Sequence, residues 1–161
     1  MQLYLLRHGE AEGSASSDAA RRLTAKGHRD VKSVARQFRQ LGQGLDLCLC
    51  SPYLRARETA QDFLHLVAPE LMPVETQDLT PDNRAATVMA HLDTLPGDAR
   101  VLLVGHNPVM SELHGLLVEG SVNQLHIMST SELAAISIDI MGLGMGTLTQ
   151  RLLPGPGPLH D

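Results

Sequence analysis

The sequence predicts an α/β fold: a mainly parallel sheet flanked by helices, with an antiparallel C-terminal hairpin at one side. Three observations carry that expectation. Apolar runs at 2–6, 45–50 and 100–104 are each followed by a turn and a segment of helical periodicity, the alternation of a parallel sheet with helical crossovers. Val101 to Val104 is apolar at every position, as a strand covered on both faces must be. LAAISIDI (133–140) and GTLTQRLL (146–153) alternate with period two around the glycine-rich turn 142–146, which reads as a hairpin.

Taken in order, QLYLL (2–6) is the first strand and leads into a loop of small polar residues, GSASSDAARR (13–22). Thr24 suits the N-cap of a helix carrying Val31, Val34, Ala35, Phe38 and Leu41 on one face, with Gly42 as its stop. LDLCLC (45–50) alternates as a strand. Ser51 and Pro52 read as the N-cap and first residue of a helix to about Leu66, although Leu54 stands where a capping box would place Glu or Gln. Residues 68–80 read as irregular with an edge strand near Val74. Thr80-Pro81 reads as the start of a helix with Ala85, Met89 and Leu92 facing inward, and Asn107-Pro108 as the start of another. The tail PGPGPLHD (154–161) is expected to be disordered, leaving a single domain over 1–153. No internal repeat is visible.

At 161 residues, 43% apolar and 19% charged, the chain has the composition of one soluble globular domain with a real core. A net charge of −5 argues against non-specific nucleic-acid binding and makes any electropositive feature local. The apolar run Leu3 to Leu6 is too short for a signal peptide or a membrane span, so a cytoplasmic location without membrane contact is expected. Cys48 and Cys50 point the same way from one strand, too far apart for an easy disulfide, and read as buried reduced thiols.

In parallel sheets, sites form at the carboxyl ends of the strands. That rule gathers Arg7-His8, Ser51 to Arg55 and Gly105-His106. Arg7 and Arg55 carry planar forks suited to phosphate oxygens, and Arg55 lies one turn inside its helix, where the dipole favours an anion. His106 precedes a further helix N-terminus. Adjacent cations at positions 7 and 8 are stable beside something negative, and a phosphoryl group is what these residues jointly suit. Singly, each is an ordinary surface or loop residue; the conjunction at three strand ends carries the reading.

Metal binding fits poorly, because there is no H-E-x-x-H or cysteine cluster and two arginines repel a cation. There is no G-x-S-x-G, no Walker A loop and no G-x-G-x-x-G after the first strand, and GLGMG (142–146) belongs to the hairpin turn. Histidines 28, 65, 91, 114, 126 and 160 are expected on helix surfaces or loops, with His114 a candidate for the rim of the site.

LRHGEAE, SPYLRARETA and VGHNP resemble the signatures of the histidine phosphatase superfamily, whose fold is phosphoglycerate mutase-like. SDAARRLTAKG (17–27), DLTPDN (78–83) and MSTSELAAISID (128–139) narrow the resemblance to the SixA-type phosphohistidine phosphatases, with Arg22 where that branch commonly has proline. The resemblance implies that His8 is a nucleophile, transiently phosphorylated, with Arg7, Arg55 and His106 around the phosphoryl group. It places Arg21 and Asn107 as substrate contacts. It sets Asp78 at or near a glutamate that acts as proton donor in many members. Asp82 is an alternative donor, and Asp78 as a residue that merely orders the turn before Thr80 is equally open.

The chemistry is consistent with that resemblance. A neutral imidazole has a lone pair for phosphorus, its other nitrogen must donate to fix the tautomer, and cations on the equatorial oxygens supply what phosphoryl transfer needs. No cofactor or metal is then expected. An imidazole leaving group is easily protonated, whereas an alkoxide needs a firm general acid. Larger superfamily members insert a helical lid, and the roughly thirty residues between Leu66 and Asp98 are too few for one. The expected function is removal of phosphate from phosphohistidine on a signalling protein such as a phosphotransfer domain. A small-molecule phosphomonoesterase and a non-catalytic phosphate-binding module remain the alternatives, and the oligomeric state is open.

Overall fold

Strands β1 (Gln2–Arg7), β2 (Leu47–Cys50), β3 (Val74–Glu75) and β4 (Arg100–Gly105) run parallel, β5 (Leu133–Ile138) pairs antiparallel with β1, and β6 (Gly146–Leu152) pairs antiparallel with β5, all in one sheet ordered β3-β2-β4-β1-β5-β6. This computed structural model describes residues 1–155. The expected mixed sheet with its antiparallel C-terminal hairpin is thus present.

The apolar runs arise because both faces of the sheet are covered. Tyr4, Leu6, Cys48, Cys50, Leu102 and Val104 face helices α1 (Ala25–Gln40) and α2 (Leu54–Val67). Leu3, Leu5, Leu49, Val101 and Leu103 face α3 (Ala85–Asp93) and α4 (Val109–His114), which continues as a π turn over Gly115–Glu119. Aromatic side chains are scarce, two Tyr and two Phe, and three of them make one cluster. Tyr4 and Phe38 meet edge to face at 4.8 Å, and Phe38 and Phe63 at 5.3 Å, pinning α1 and α2 to the sheet.

Thr24 caps α1 by accepting from the Gly27 N–H at 3.0 Å, as expected. Leu41 does not join the apolar stripe: it occupies the C-cap and is exposed, and Gly42 follows with φ 66°. Cys48 and Cys50 are buried and free, and burial pushes the Cys48 thiol up to about 12 and that of Cys50 higher still.

Two helix starts differ from expectation. Helix α2 begins at Leu54, with Tyr53 rather than Ser51 at the N-cap, because the Ser51 hydroxyl is used elsewhere, against Tyr53 N and His106. Helix α3 begins at Ala85, not after Thr80. Thr80 turns its hydroxyl back to the Gln77 carbonyl (2.9 Å), and the Asn83 amide donates to the same oxygen (3.0 Å), closing the tight turn Gln77–Leu79. Of the tail expected to be disordered, residues 156–161 lie outside the described residues. Gly155 N donates to Ser33 Oγ at 3.0 Å, holding the preceding residues on α1.

Register decides where the site forms. Arg7 pairs with Gly105 and Cys50 with Val104, so His8, Ser51 and His106 leave the sheet at one level. His8 N donates to Gly105 O and Ser51 N to Val104 O, each at 3.0 Å. Among the described residues no helix is long and apolar enough to cross a membrane.

Candidate active site

His8 follows the last residue of β1 and is 8% exposed. Its Nδ1 lies 2.7 Å from the Gly9 carbonyl, an oxygen that can only accept, so Nδ1 carries the proton and Nε2 keeps the lone pair. Glycine is required next in the chain: a Cβ on Gly9 would sit 2.9 Å from the Gly27 carbonyl in the first turn of α1. Gly9 N donates to Thr59 Oγ1 (3.1 Å), which itself donates to Arg55 O (2.7 Å). The loop after β1 is therefore tied to α2 at Arg55.

Arg55 is 4% exposed. Its Nε points at His8 Nε2 from 3.4 Å, while its other two nitrogens donate to Asp18, one to the backbone carbonyl (2.7 Å) and one to Oδ2 (3.2 Å). Asp18 also receives Arg21 at 3.0 Å, so Arg21 stands one carboxylate away from Arg55. The Tyr53 ring lies beside Arg55 (5.2 Å) and against His106 (5.2 Å).

His106 follows β4 and is 1% exposed, its ring 5.0 Å from that of His8. Its Nε2 is 2.8 Å from Ser51 Oγ. That hydroxyl also accepts from Tyr53 N and can either give or take the bond to His106; His106 Nδ1 is buried and without a partner.

Arg7 donates through one terminal nitrogen to the Met128 carbonyl (2.7 Å), while its buried Nε has no partner. The Asn107 amide donates to that same carbonyl (3.0 Å), and its oxygen accepts from Ser111 (2.7 Å). Asn107 thus makes one bond at each end of its amide, to Met128 O and from Ser111 Oγ, leaving a second N–H of Nδ2 unused. Ser131, fully buried with φ 60°, donates its N–H to the carbonyls of Arg7 and His8, and its hydroxyl is unpartnered. Glu132 anchors this loop through Ser129 N, His126 and Arg151.

The enclosure of these cations controls their charge. Burial, reinforced by Arg55, Arg7 and Arg21 against the pull of the Gly9 carbonyl, lowers His8 to about 4. Burial, then His8 and Arg55, lowers His106 to about 2. Both imidazoles are neutral at pH 7. Burial also lowers Arg7, opposed by Glu132.

The structure brings together Arg7, His8, Arg55 and His106, with Arg21 at the edge. The Asp78 carboxylate is held by another side chain: Oδ2 lies 2.7 Å from Nδ1 of His91 on α3. His114 is not at the rim or on a surface. It is 3% exposed and packed against Arg151 (3.2 Å) and the His126 ring. His28 pairs with Asp62, and His160 lies outside the described residues. Sequence reasoning missed Ser51, Thr59, Asp18 and Ser131 as supports. Asp18 and Ser131 sit inside the two stretches that mark the family branch, which was the available signal. Among the described residues no group of three or more His, Cys, Asp and Glu is placed to hold a metal ion.

Residues 3–80 match the model of the histidine phosphatase superfamily (branch 1). The chain is 32% identical over 150 residues to phosphohistidine phosphatase SixA of Escherichia coli (strain K12), covering 89% of each chain. The chain belongs to the histidine phosphatase superfamily. It is also 34% identical over 122 residues to the SixA homolog of Haemophilus influenzae, covering 70% of this chain and 74% of that one. The structure of the protein histidine phosphatase SixA complexed with tungstate superposes with a TM-score of 0.87 at 28% identity, covering 96% and 97% of the two chains. A putative alpha-ribazole-5'-P phosphatase from Escherichia coli shares the fold, with TM-score 0.73 and 22% identity over 100% and 99% of the two chains.

Proposed function

We propose that this chain is a cytoplasmic phosphohistidine phosphatase that acts through phospho-His8 and requires no metal. The observation that carries the reading is the pair of buried, unpartnered nitrogens, Arg7 Nε and His106 Nδ1, beside a neutral His8. A buried polar nitrogen left unpaired costs about 1–3 kcal/mol; a phosphoryl oxygen accepts from Arg7 Nε, and from His106 Nδ1 in the tautomer that protonates it. The His8 Nε2 lone pair attacks phosphorus, the P–N bond to the substrate imidazole breaks, and that imidazole takes the electron pair and a proton from water. A water molecule then attacks phospho-His8, releasing inorganic phosphate and neutral His8. Arg7, Arg55 and His106 hold the equatorial oxygens throughout, with Asp18 bracing Arg55 and Arg21 bracing Asp18.

Likeness to SixA over nearly the whole chain supports phosphohistidine as the substrate. So does the environment: among the described residues no carboxylate is hydrogen-bonded to His8 or His106, so a leaving group that needs no firm acid is favoured. The α3 helix packs Ala85, Val88 and Leu92 into the core on one face of the sheet. The test compares kcat/KM on a histidine-phosphorylated phosphotransfer protein with a panel of phosphate monoesters, in excess chelator. A preference for the phosphoprotein is expected. Equal or faster turnover of a monoester overturns the substrate choice, and loss of all activity in chelator overturns metal independence.

A further inference from the structure

Residues 21–40 hold seven of the chain's thirteen Lys and Arg side chains and one of its eighteen acids, a net +6 on a chain of −5. On α1 these charges share one side. Val31, Val34, Ala35 and Phe38 are buried, while Lys26, Arg29 and Arg36 are exposed on the opposite face with Lys32 beside them. They line a groove of about 890 Å³ between α1 and residues 154–155. Four cations of the stretch are matched: Arg21 with Asp18, Arg22 with Glu58, Lys26 with Asp30 and, at 3.8 Å, Lys32 with Asp62. Among the described residues, Arg29, Arg36 and Arg39 take part in none of the ion pairs.

The stripe starts at the site. The first turn of α1 abuts the nucleophile loop, where a Cβ on Gly27 would lie 2.2 Å from the Glu10 carbonyl. Sixteen helical residues then carry it about 24 Å away, a distance on the scale of a small domain. The cations stand on an open groove with no buried polar group among them, which suits an extended charged surface better than a small anion. The −5 charge of the whole chain disfavours a general polyanion binder.

We propose that the exposed face of α1 is a docking surface for an acidic face of the phosphohistidine-bearing protein, beside its phosphorylated residue. This rests on the phosphoprotein reading above. Such a surface raises the association rate with an acidic partner and leaves chemistry at His8 untouched.

The test uses the full chain carrying Arg29→Glu with Arg36→Glu, and Arg84→Glu, an exposed reversal on the other side of the sheet, as control. The substrates are a histidine-phosphorylated phosphotransfer protein of net negative charge and free phosphohistidine. The double variant is expected to lose about tenfold or more in kcat/KM on the protein, with a flatter salt dependence, and to match wild type on free phosphohistidine. Arg84→Glu is expected to change neither. Wild-type turnover of the protein with no loss in the double variant overturns the docking surface alone. An equal loss on both substrates, or the same loss in Arg84→Glu, also overturns it. Binding of RNA or anionic vesicles by the stripe with protein turnover unchanged overturns it in favour of another partner. Failure of wild type to turn over the phosphoprotein while it turns over monoesters removes the functional reading and the surface together.

Discussion

At His8 a single backbone carbonyl leaves Nε2 as the nitrogen with the lone pair, and burial among cations keeps that nitrogen unprotonated. With His8 lowered to about 4, its imidazole resonance is expected to stay neutral through pH 6 and titrate far below 6.5 in an NMR titration of the free protein. The stability consequence has a definite sign. Unfolded histidine takes up a proton near 6.5 and folded His8 does not, so the folded state loses ground as pH falls from about 6.5 toward 4. Of roughly 3 kcal/mol from His8, about 1–2 kcal/mol is lost between pH 7 and 5. Denaturant unfolding at the two pH values checks this, and His8→Ala is expected to show a smaller decline. Asp78 is the other residue whose environment speaks. Because its carboxylate is held by His91, Asp78→Asn is expected to leave the rates on phosphohistidine and on alkyl phosphates unchanged, and to cost at most about 1 kcal/mol of stability. A loss confined to alkyl phosphates restores it as general acid.

The elements matter through the contacts that aim these residues. Gly9 and the first turn of α1 approach so closely that Gly9→Ala must move one of them; a displacement near 1 Å at the nucleophile costs about 10²-fold in kcat. Circular dichroism and denaturant unfolding are expected to show a folded protein. By contrast Phe38→Ala, which empties the centre of the aromatic cluster, is expected to cost about 3–5 kcal/mol in unfolding while the surviving folded protein keeps its rate per site. These two effects show why some elements were legible from sequence and others were not. Helix α1 announced itself because cap, stripe and stop agreed locally. The starts of α2 and α3 misled because serine and threonine beside proline have uses other than capping. Ser51 serves His106, and Thr80 serves the turn behind it.

For the molecule as a whole, the parallel order β2-β4-β1 brings three strand ends to one level, so the four central residues were readable as strand-end residues before their distances were known. The pairings of the supports were not readable, because Asp18, Thr59 and Ser131 act across 37, 50 and 124 positions of chain; the family-branch stretches could flag Asp18 and Ser131 but not what they hold. Nor was the bond from Asn107 to the Met128 carbonyl, which depends on where residue 128 returns. The central claim remains that His8 is the covalent carrier of the phosphoryl group. It is tested most directly by rapid acid-free quenching during turnover of a phosphohistidine protein, followed by mass spectrometric mapping of phosphate on the chain. The expected result is one acid-labile phosphate, on His8, absent from His8→Ala. No trapped phosphate under conditions of full turnover, or phosphate on His106, Ser131 or any other residue, contradicts it.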